Sequence, residues 1–562
     1  MAETPATTEL LPADYYLQNF EQMLASVAER YLDIFPAEQQ GALQCYRSLP
    51  DKSKMLLVRL LSRKGEWFRL DKLHYAEIGD IATALLPLLS AGLLQQMLPP
   101  LDVWFGAMTL PELKSLLHDI NEPLLRHWRS KQQLWQLLQA APELPTQLPQ
   151  WQQQQGLVWL QLNCQPLLDL LLLLYFGNRY QDLSQFVLSD LGLQRFEGYP
   201  LTREGRTYQS SIELKTALSL AALADNWEQT TQQKEPIVLA DWLAQLPAPQ
   251  DNPLLERRRQ KLLLKLGREA ERQQQLALAM SLYQQCHGWD AAERLCRCLE
   301  KVNPPQALAV LTSLAQQTQN ETQQQIVARI FTRLSKQRTI TDNSQVLPTF
   351  QQVAPYKPIE ISLVLLPNTE RRVELLTQDY FLEQGFDAWF SENSVLCGLF
   401  GLAFWDIIFA PVAGVFDNPY QRAPRDMYQP DFVARRQTLI TQRMAQLASG
   451  DKHILQQHFV CKQGLVNDWV NWQVFTEPLF KRCITTFSTE FLLALFQRIL
   501  RDPQHYRSGH PDLLLFTTDG KPQFVEVKGP SDKLADHQIH WLHFLADFYS
   551  AKVCYVSWKH TK

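Results

Sequence analysis

The sequence predicts a multidomain, mostly α-helical chain that closes in a small α/β domain. Three observations carry that expectation. Glycine is scarce, at 21 of 562 residues, while Leu, Gln and Ala fill long stretches, a composition that favours helix. Apolar residues recur at helical spacing, most clearly in YYLQNFEQMLASVAERYLDIF from Tyr15. Near the C-terminus the period changes to two, in HPDLLLFTTDGKPQFVEVKGPSD over 510–532.

Taken in order, 1–100 reads as a helical region. Between Asp51 and Lys72 it carries Lys52, Lys54, Arg59, Arg63, Lys64, Arg69 and Lys72 against three acids, with Trp67 and Phe68 interleaved. Such a patch suits phosphate, although on a helical surface a solvated face is the default reading; it is the motif over 510–532 that makes this region expected to bind DNA. Residues 101–145 contain TLPELKSLLHDINEPLLRHWRSKQQLWQLLQ, a helix, a short loop and a second helix with Arg126, Arg129 and Lys131. That pattern resembles a SAP module, and the resemblance implies contact with DNA backbone through Arg126 and Lys131. Across 146–345, small-residue helical pairs such as LGREAERQQQLALAMSLYQQCHGWDAAERLCRCLE resemble degenerate tetratricopeptide repeats, which bury their apolar faces on their neighbours. The basic run of Arg257, Arg258, Arg259, Lys261, Lys265 and Arg268 reads as a solvated helix face, and the Gln-rich 151–156 as linker or solvated helix. Thr, Ser, Asn and Pro accumulate over 340–358 and mark a boundary, so 346–562 forms the last domain. Its first helix is expected to be capped by Asn368 or Thr369 and to end near Gly385, before a loop and a second, buried helix.

In the last domain, Asp512 opens the apolar run Leu513 to Phe516, and Asp519-Gly520 is a hairpin signal before the next run. Alternation there puts Val525 and Val527 on one face and Phe524, Glu526 and Lys528 on the other. A helix should follow Gly529-Pro530, capped by Ser531 or Asp532 and running to about Tyr549. Gln538 falls on its apolar stripe, where a polar amide needs a partner. Two carboxylates held together at neutral pH repel unless a cation lies between them, and hard oxygen ligands suit magnesium or manganese. A lysine two residues beyond the second carboxylate suits orienting a water or offsetting charge on a phosphoryl oxygen, so the set points to metal-assisted phosphodiester hydrolysis.

Pro511-Asp512, thirteen residues, Glu526-Val527-Lys528 and then GPSDKLADHQIHWL resemble the VRR-NUC branch of the PD-(D/E)XK nuclease superfamily. Together with the SAP-like and repeat segments and with GFD, LCGLF and WDIIF after Glu374, the chain resembles the Fanconi-associated nucleases in a bacterial form. The resemblance implies a C-terminal α/β nuclease domain in which Asp512, Glu526, the Val527 carbonyl and Glu374 hold one or two Mg2+ or Mn2+ ions. Glu370 and Glu392 are rival third carboxylates. Lys528 and Gln538 would complete the catalytic set, with His510 and His540 as bystanders. It further implies a monomeric 5′ flap endonuclease and 5′ to 3′ exonuclease of interstrand crosslink repair, working on branched DNA, other repair proteins being possible partners. A four-way junction resolvase and a non-catalytic DNA-binding scaffold are the alternatives.

Other classes are disfavoured. MAETPATTELLPADYY lacks the basic start and apolar core of a signal peptide, and the nine cysteines show neither zinc nor disulfide spacing, which fits a cytoplasmic, nucleoid-associated protein. The apolar runs 167–176 and 396–416 carry Asp169, Asp406 and Pro411 and read as buried core, the second as helix and strand. Net charge is −4, so DNA binding rests on local patches.

Overall fold

The computed structural model describes residues 12–118, 128, 130–140, 156–179, 194–337, 356–366 and 371–559. Arg126, Arg129, Asn368, Thr369, Glu370, most of the Gln-rich 151–156 and most of the 340–358 boundary lie outside them. By its internal contacts the chain divides into two compact units, one of 1–193 with 208–221 and one of 194–207 with 222–562.

The first unit opens with helices α1 (Tyr15–Tyr31), α2 (Ala37–Arg47) and α3 (Asp51–Leu61). Their apolar stripes bury Phe20, Leu24, Leu56 and Leu60. Between the helices lie strands absent from the sequence reading, β1 (Trp67–Arg69) and β2 (Leu94–Gln96), both antiparallel to β3 (Trp159–Leu162) in the order β1-β3-β2. Three-residue strands show no periodicity, and their pairing partner lies more than sixty residues away, so nothing local announces them. The apolar run at 167–176 falls within helix Gln165–Phe176, where Leu170, Leu171, Leu173 and Leu174 are buried. Among the described residues no single helix is long and apolar enough to cross a membrane.

In the second unit, helices α4 (Pro253–Arg272), α5 (Leu276–Gln284), α6 (Trp289–Val302), α7 (Pro304–Gln316) and α8 (Glu321–Leu334) pack each on the next, as the small-residue pattern predicts. Gly267 of α4 lets the Tyr283 ring approach so closely that a Cβ would sit 2.5 Å from it. The basic run of α4 is largely engaged in pairing: Arg257 meets Asp431 at 2.9 Å, buried Arg259 meets Glu256 at 2.9 Å, and Lys265 pairs with Glu228.

The nuclease portion is built on five strands: β4 (Ile359–Leu365), β5 (Asp387–Phe390), β6 (Leu513–Phe516), β7 (Pro522–Lys528) and β8 (Ser550–Trp558), in the order β4-β8-β7-β6-β5. β4, β8 and β7 run parallel, and β6 and β5 are antiparallel to their neighbours. The β6–β7 hairpin turns at Asp519-Gly520, with Gly520 at φ +81°. Val525 and Val527 enter a cluster with Phe381 of α9 (Val373–Glu383), whereas Phe524 packs with Trp541 and Leu545 on the opposite face.

Three local expectations need correction. β5 occupies the loop expected after Gly385, because that segment pairs with β6 at the sheet edge and buries Ala388 there. The run 396–416 forms α10 (Val395–Ala403), a short helix at Trp405–Ile408 and an irregular stretch, without a strand; Gly398 of α10 is pressed against Phe475. The last helix, α12 (Asp536–Ala546), is preceded by α11 (Thr489–Arg501) and starts later than expected, at an Ala535 N-cap. Asp532 instead accepts the Gly529 N–H at 2.9 Å, closing a turn before the helix begins.

Candidate active site

The β6–β7 register, with Leu513 opposite Val525, sets Asp512 across from Glu526 on the neighbouring strand. Both are buried, Glu526 at 1% exposure and Asp512 at 8%. Asp512 Oδ2 accepts the Val527 N–H at 2.8 Å, so the motif's middle residue holds its first carboxylate. Glu526 Oε1 is doubly engaged, by Lys528 Nζ at 2.8 Å and Gln538 Nε2 at 2.5 Å. The amide that interrupts the apolar stripe of α12 thus finds its partner here. Its own oxygen accepts the Ala535 N–H at 3.0 Å, which fixes its orientation at the helix start. Glu526 Oε2 is buried and has no hydrogen-bond partner.

Burial raises the pKa of Asp512 most, against the Val527 N–H; Glu392 and Glu374 add repulsion. For Glu526 burial again leads, followed by repulsion from Asp512, against Lys528. Two carboxyls are therefore held in a pocket that disfavours both charges, an arrangement a hard divalent cation would relieve. Among the described residues no group of three His, Cys, Asp or Glu side chains closes on one point as a complete cage. The orphaned Glu526 oxygen and the all-oxygen donor set nevertheless fit such an ion.

Two glutamates contend for the next ligand position. Glu374 lies in the first turn of α9 and bears on Asp512. Glu392 lies in the loop after β5 and bears on both Asp512 and Glu526. That loop is fastened to the Asp512 segment: Ser391 donates its N–H to the Asp512 carbonyl at 2.7 Å and its hydroxyl to the Pro511 carbonyl at 3.0 Å. Glu392 is thus tied by its loop to the Asp512 segment, while Glu374 approaches Asp512 from α9. Turn-forming Ser391-Glu392-Asn393-Ser394 was the available signal, but its contact with a segment some 120 residues later is invisible in sequence.

The rings of both histidines have partners outside the carboxylate pair. His510 donates its Nε2–H to the Tyr506 carbonyl at 2.9 Å, packs on Trp541, and is pushed by burial to a pKa of about 4. His540 faces Gln325 of α8 at 2.9 Å.

The VRR-NUC domain family model matches residues 449–558, and the FAN1 HTH domain model matches 14–95. A Fanconi-associated nuclease 1 homolog of Pseudomonas aeruginosa is 33% identical over 567 residues, covering 99% of this chain and 98% of that one. This chain belongs to the Fanconi-associated nuclease family. A homolog from Oryza sativa is 26% identical and covers 96% of this chain, which spans 62% of that protein. The crystal structure of paFAN1 bound to 2nt 5′ flap DNA with a gap aligns at TM-score 0.84 and 32% identity, over 98% of this chain and 100% of that one. As a Fanconi-associated nuclease, the chain is an enzyme, a DNA nuclease that depends on a divalent metal ion.

The expected DNA-binding residues divide by environment. Lys52 donates to the Glu77 carbonyl, Lys54 pairs with Glu21 at 3.5 Å, and Arg59 pairs with Glu77 at 2.6 Å while stacking on Tyr16. Lys131 donates to the Gly106 and Met108 carbonyls at 3.0 and 2.9 Å, closing the end of helix Leu101–Ala107. Arg63 and Lys64 are exposed beyond α3. Arg126 lies outside the described residues.

Proposed function

We propose that this nuclease cuts branched DNA carrying a 5′ flap and then degrades it in the 5′ to 3′ direction, as a monomer in interstrand crosslink repair. The single observation that carries the chemistry is the Glu526 carboxylate, one oxygen pinned by Lys528 and Gln538 and the other buried without a partner opposite Asp512. Substrate choice is supported by the paFAN1 structure with bound 5′ flap DNA.

In this reading Asp512, Glu526, the Val527 carbonyl and Glu392, in preference to Glu374, hold Mg2+ or Mn2+. The ion, when bound, supplies Lewis acidity toward the scissile phosphate and acidifies a water. The chain's own groups do the rest. Val527 N–H and Gln538 keep the two carboxylates from rotating away, and Lys528 offsets negative charge as the phosphorus becomes crowded. Gln538→Leu is expected to raise the half-saturating Mn2+ concentration about 10- to 100-fold, the range for losing a group that orients a ligand. An unchanged value would reduce Gln538 to a buried partner.

Exposed Arg63 and Lys64 are the proposed backbone contacts of the first unit. Their double replacement by Ala should weaken flap binding and flatten its dependence on log salt by nearly two phosphate contacts' worth of slope. Identical slopes in the two proteins, measured by fluorescence anisotropy, would remove these residues from the interface.

The discriminating experiment compares cleavage of a 5′ flap, a four-way junction and single-stranded DNA, with the mass in solution measured alongside. Preference for the flap by a monomer supports the proposal. Paired symmetric cuts of the junction by a dimer would overturn it in favour of a resolvase.

A further inference from the structure

Between β5 and α10 one side chain has both of its polar ends committed. Asn393 adopts φ +48°, a left-handed conformation that Asn tolerates better than most residues. Its Oδ1 accepts the His510 N–H at 3.1 Å, and its Nδ2 donates to Glu392 Oε1 at 3.4 Å. On either side, Ser391 is bonded to Pro511 and Asp512, and the Ser394 hydroxyl donates to the Glu392 carbonyl at 3.0 Å. Ser391 and Ser394 are buried. One carboxamide thus joins the segment that delivers Asp512 to the side chain of Glu392.

We propose that Asn393 is a positioning residue, a bracket that fixes the Glu392 carboxylate relative to Asp512 so that both meet the same divalent cation. The inference rests on Glu392 being a metal ligand. A glutamate on a loop loses rotamer freedom when it ligates an ion, and one already held at Oε1 has less to lose. The acceptor half of the bracket sets where the loop sits against 510–512, and the donor half sets where the carboxylate points. The backbone alone does not require this side chain, because glycine adopts the same φ without strain and offers neither bond.

That difference supplies the test. MnCl2 is titrated calorimetrically into the full-length, DNA-free protein for wild type, Asn393→Gly, Asn393→Ala and Glu392→Gln. Melting temperatures in EDTA and the Mn2+ dependence of flap cleavage are recorded for each. The expected result is Mn2+ binding weakened about 10- to 100-fold in both Asn393 variants, with a larger effect on half-saturating Mn2+ than on kcat. Asn393→Gly should stay folded in EDTA, melting only slightly below wild type for the lost His510 N–H bond, and Glu392→Gln should lose more affinity than either. Wild-type binding by Asn393→Gly beside lost binding in Glu392→Gln would overturn the bracket and leave Glu392 a ligand. Weakened binding in Asn393→Ala alone would assign the effect to backbone strain and likewise overturn it. Wild-type binding by Glu392→Gln would remove the ligand on which the inference rests.

Discussion

Asp512→Asn should lower the cleavage rate at least about 10³-fold, the scale of losing one preorganised electrostatic group, and yet raise the melting temperature of the metal-free protein at neutral pH. Asp512 is 8% exposed, and burial, then Glu392 and Glu374, raise its pKa despite the Val527 N–H. An asparagine oxygen can still accept that N–H, while the buried charge disappears. Because the folded pKa lies above the unfolded one, folding takes up protons at this site. The stability it contributes is full at acid pH and is lost as pH rises through the raised value. The variant's advantage should therefore be absent near pH 4 and complete at alkaline pH, with a gain on the order of 2 °C. Thermal unfolding in EDTA at pH 5 and pH 8 checks this. A variant that melts below wild type at pH 8 would show that Asp512 is not under electrostatic stress. The site sacrifices stability for function, in the way catalytic carboxylates often do, only if both halves of the prediction hold.

Arg498→Leu should destabilise the second unit by about 3 kcal/mol. Arg498 is buried in α11, and its guanidinium pairs with Glu321 at the start of α8 at 2.7 Å and donates to the His540 carbonyl of α12 at 3.2 Å. It also lies over the rings of Tyr506, Trp541 and Phe544 at 4.4, 5.0 and 4.9 Å. Leucine fills part of that volume but takes the guanidinium away from Glu321, which keeps the Tyr506 hydroxyl at 2.8 Å. The expected cost sits at the low end for broken buried pairs because the Glu321 side chain is still 19% exposed. Burial pushes the Glu321 carboxyl up, but Arg498 and hydrogen bonds outweigh it, and the net shift is downward. A depressed carboxyl contributes stability above its unfolded pKa and loses it as pH falls through the folded value. The gap between Arg498→Leu and wild type should accordingly narrow in acid. Adding Glu321→Gln should recover part of the loss at neutral pH, as expected when the penalty comes from an uncompensated charge. A double variant no more stable than Arg498→Leu would place the cost in ring packing instead. The same clasp holds α12, so loosening it should also disturb Gln538 and, through it, Glu526.

Much of this site could be read from residue order. Period-two alternation separated Val525 and Val527 from Phe524, and the structure puts them in different clusters. Gln538 stood out as a polar residue on an apolar stripe, and its partner is the buried Glu526. These are local signals, set by side-chain periodicity within one strand and one helix. What escaped was non-local. β1 and β2 are joined only through β3, and the Glu392 loop acquires its meaning from hydrogen bonds to 510–512. The basic cluster shows the opposite failure: charge density was legible, but not that Lys54 and Arg59 would be matched to Glu21 and Glu77.

Single-turnover cleavage of an end-labelled 5′ flap duplex, with Mg2+, Mn2+ or EDTA, beside Asp512→Asn, tests the proposed site most directly. Metal-dependent cutting at the flap junction that disappears in the variant while DNA binding persists is the predicted result. Cutting in EDTA, or cutting by Asp512→Asn at the wild-type rate, would contradict it.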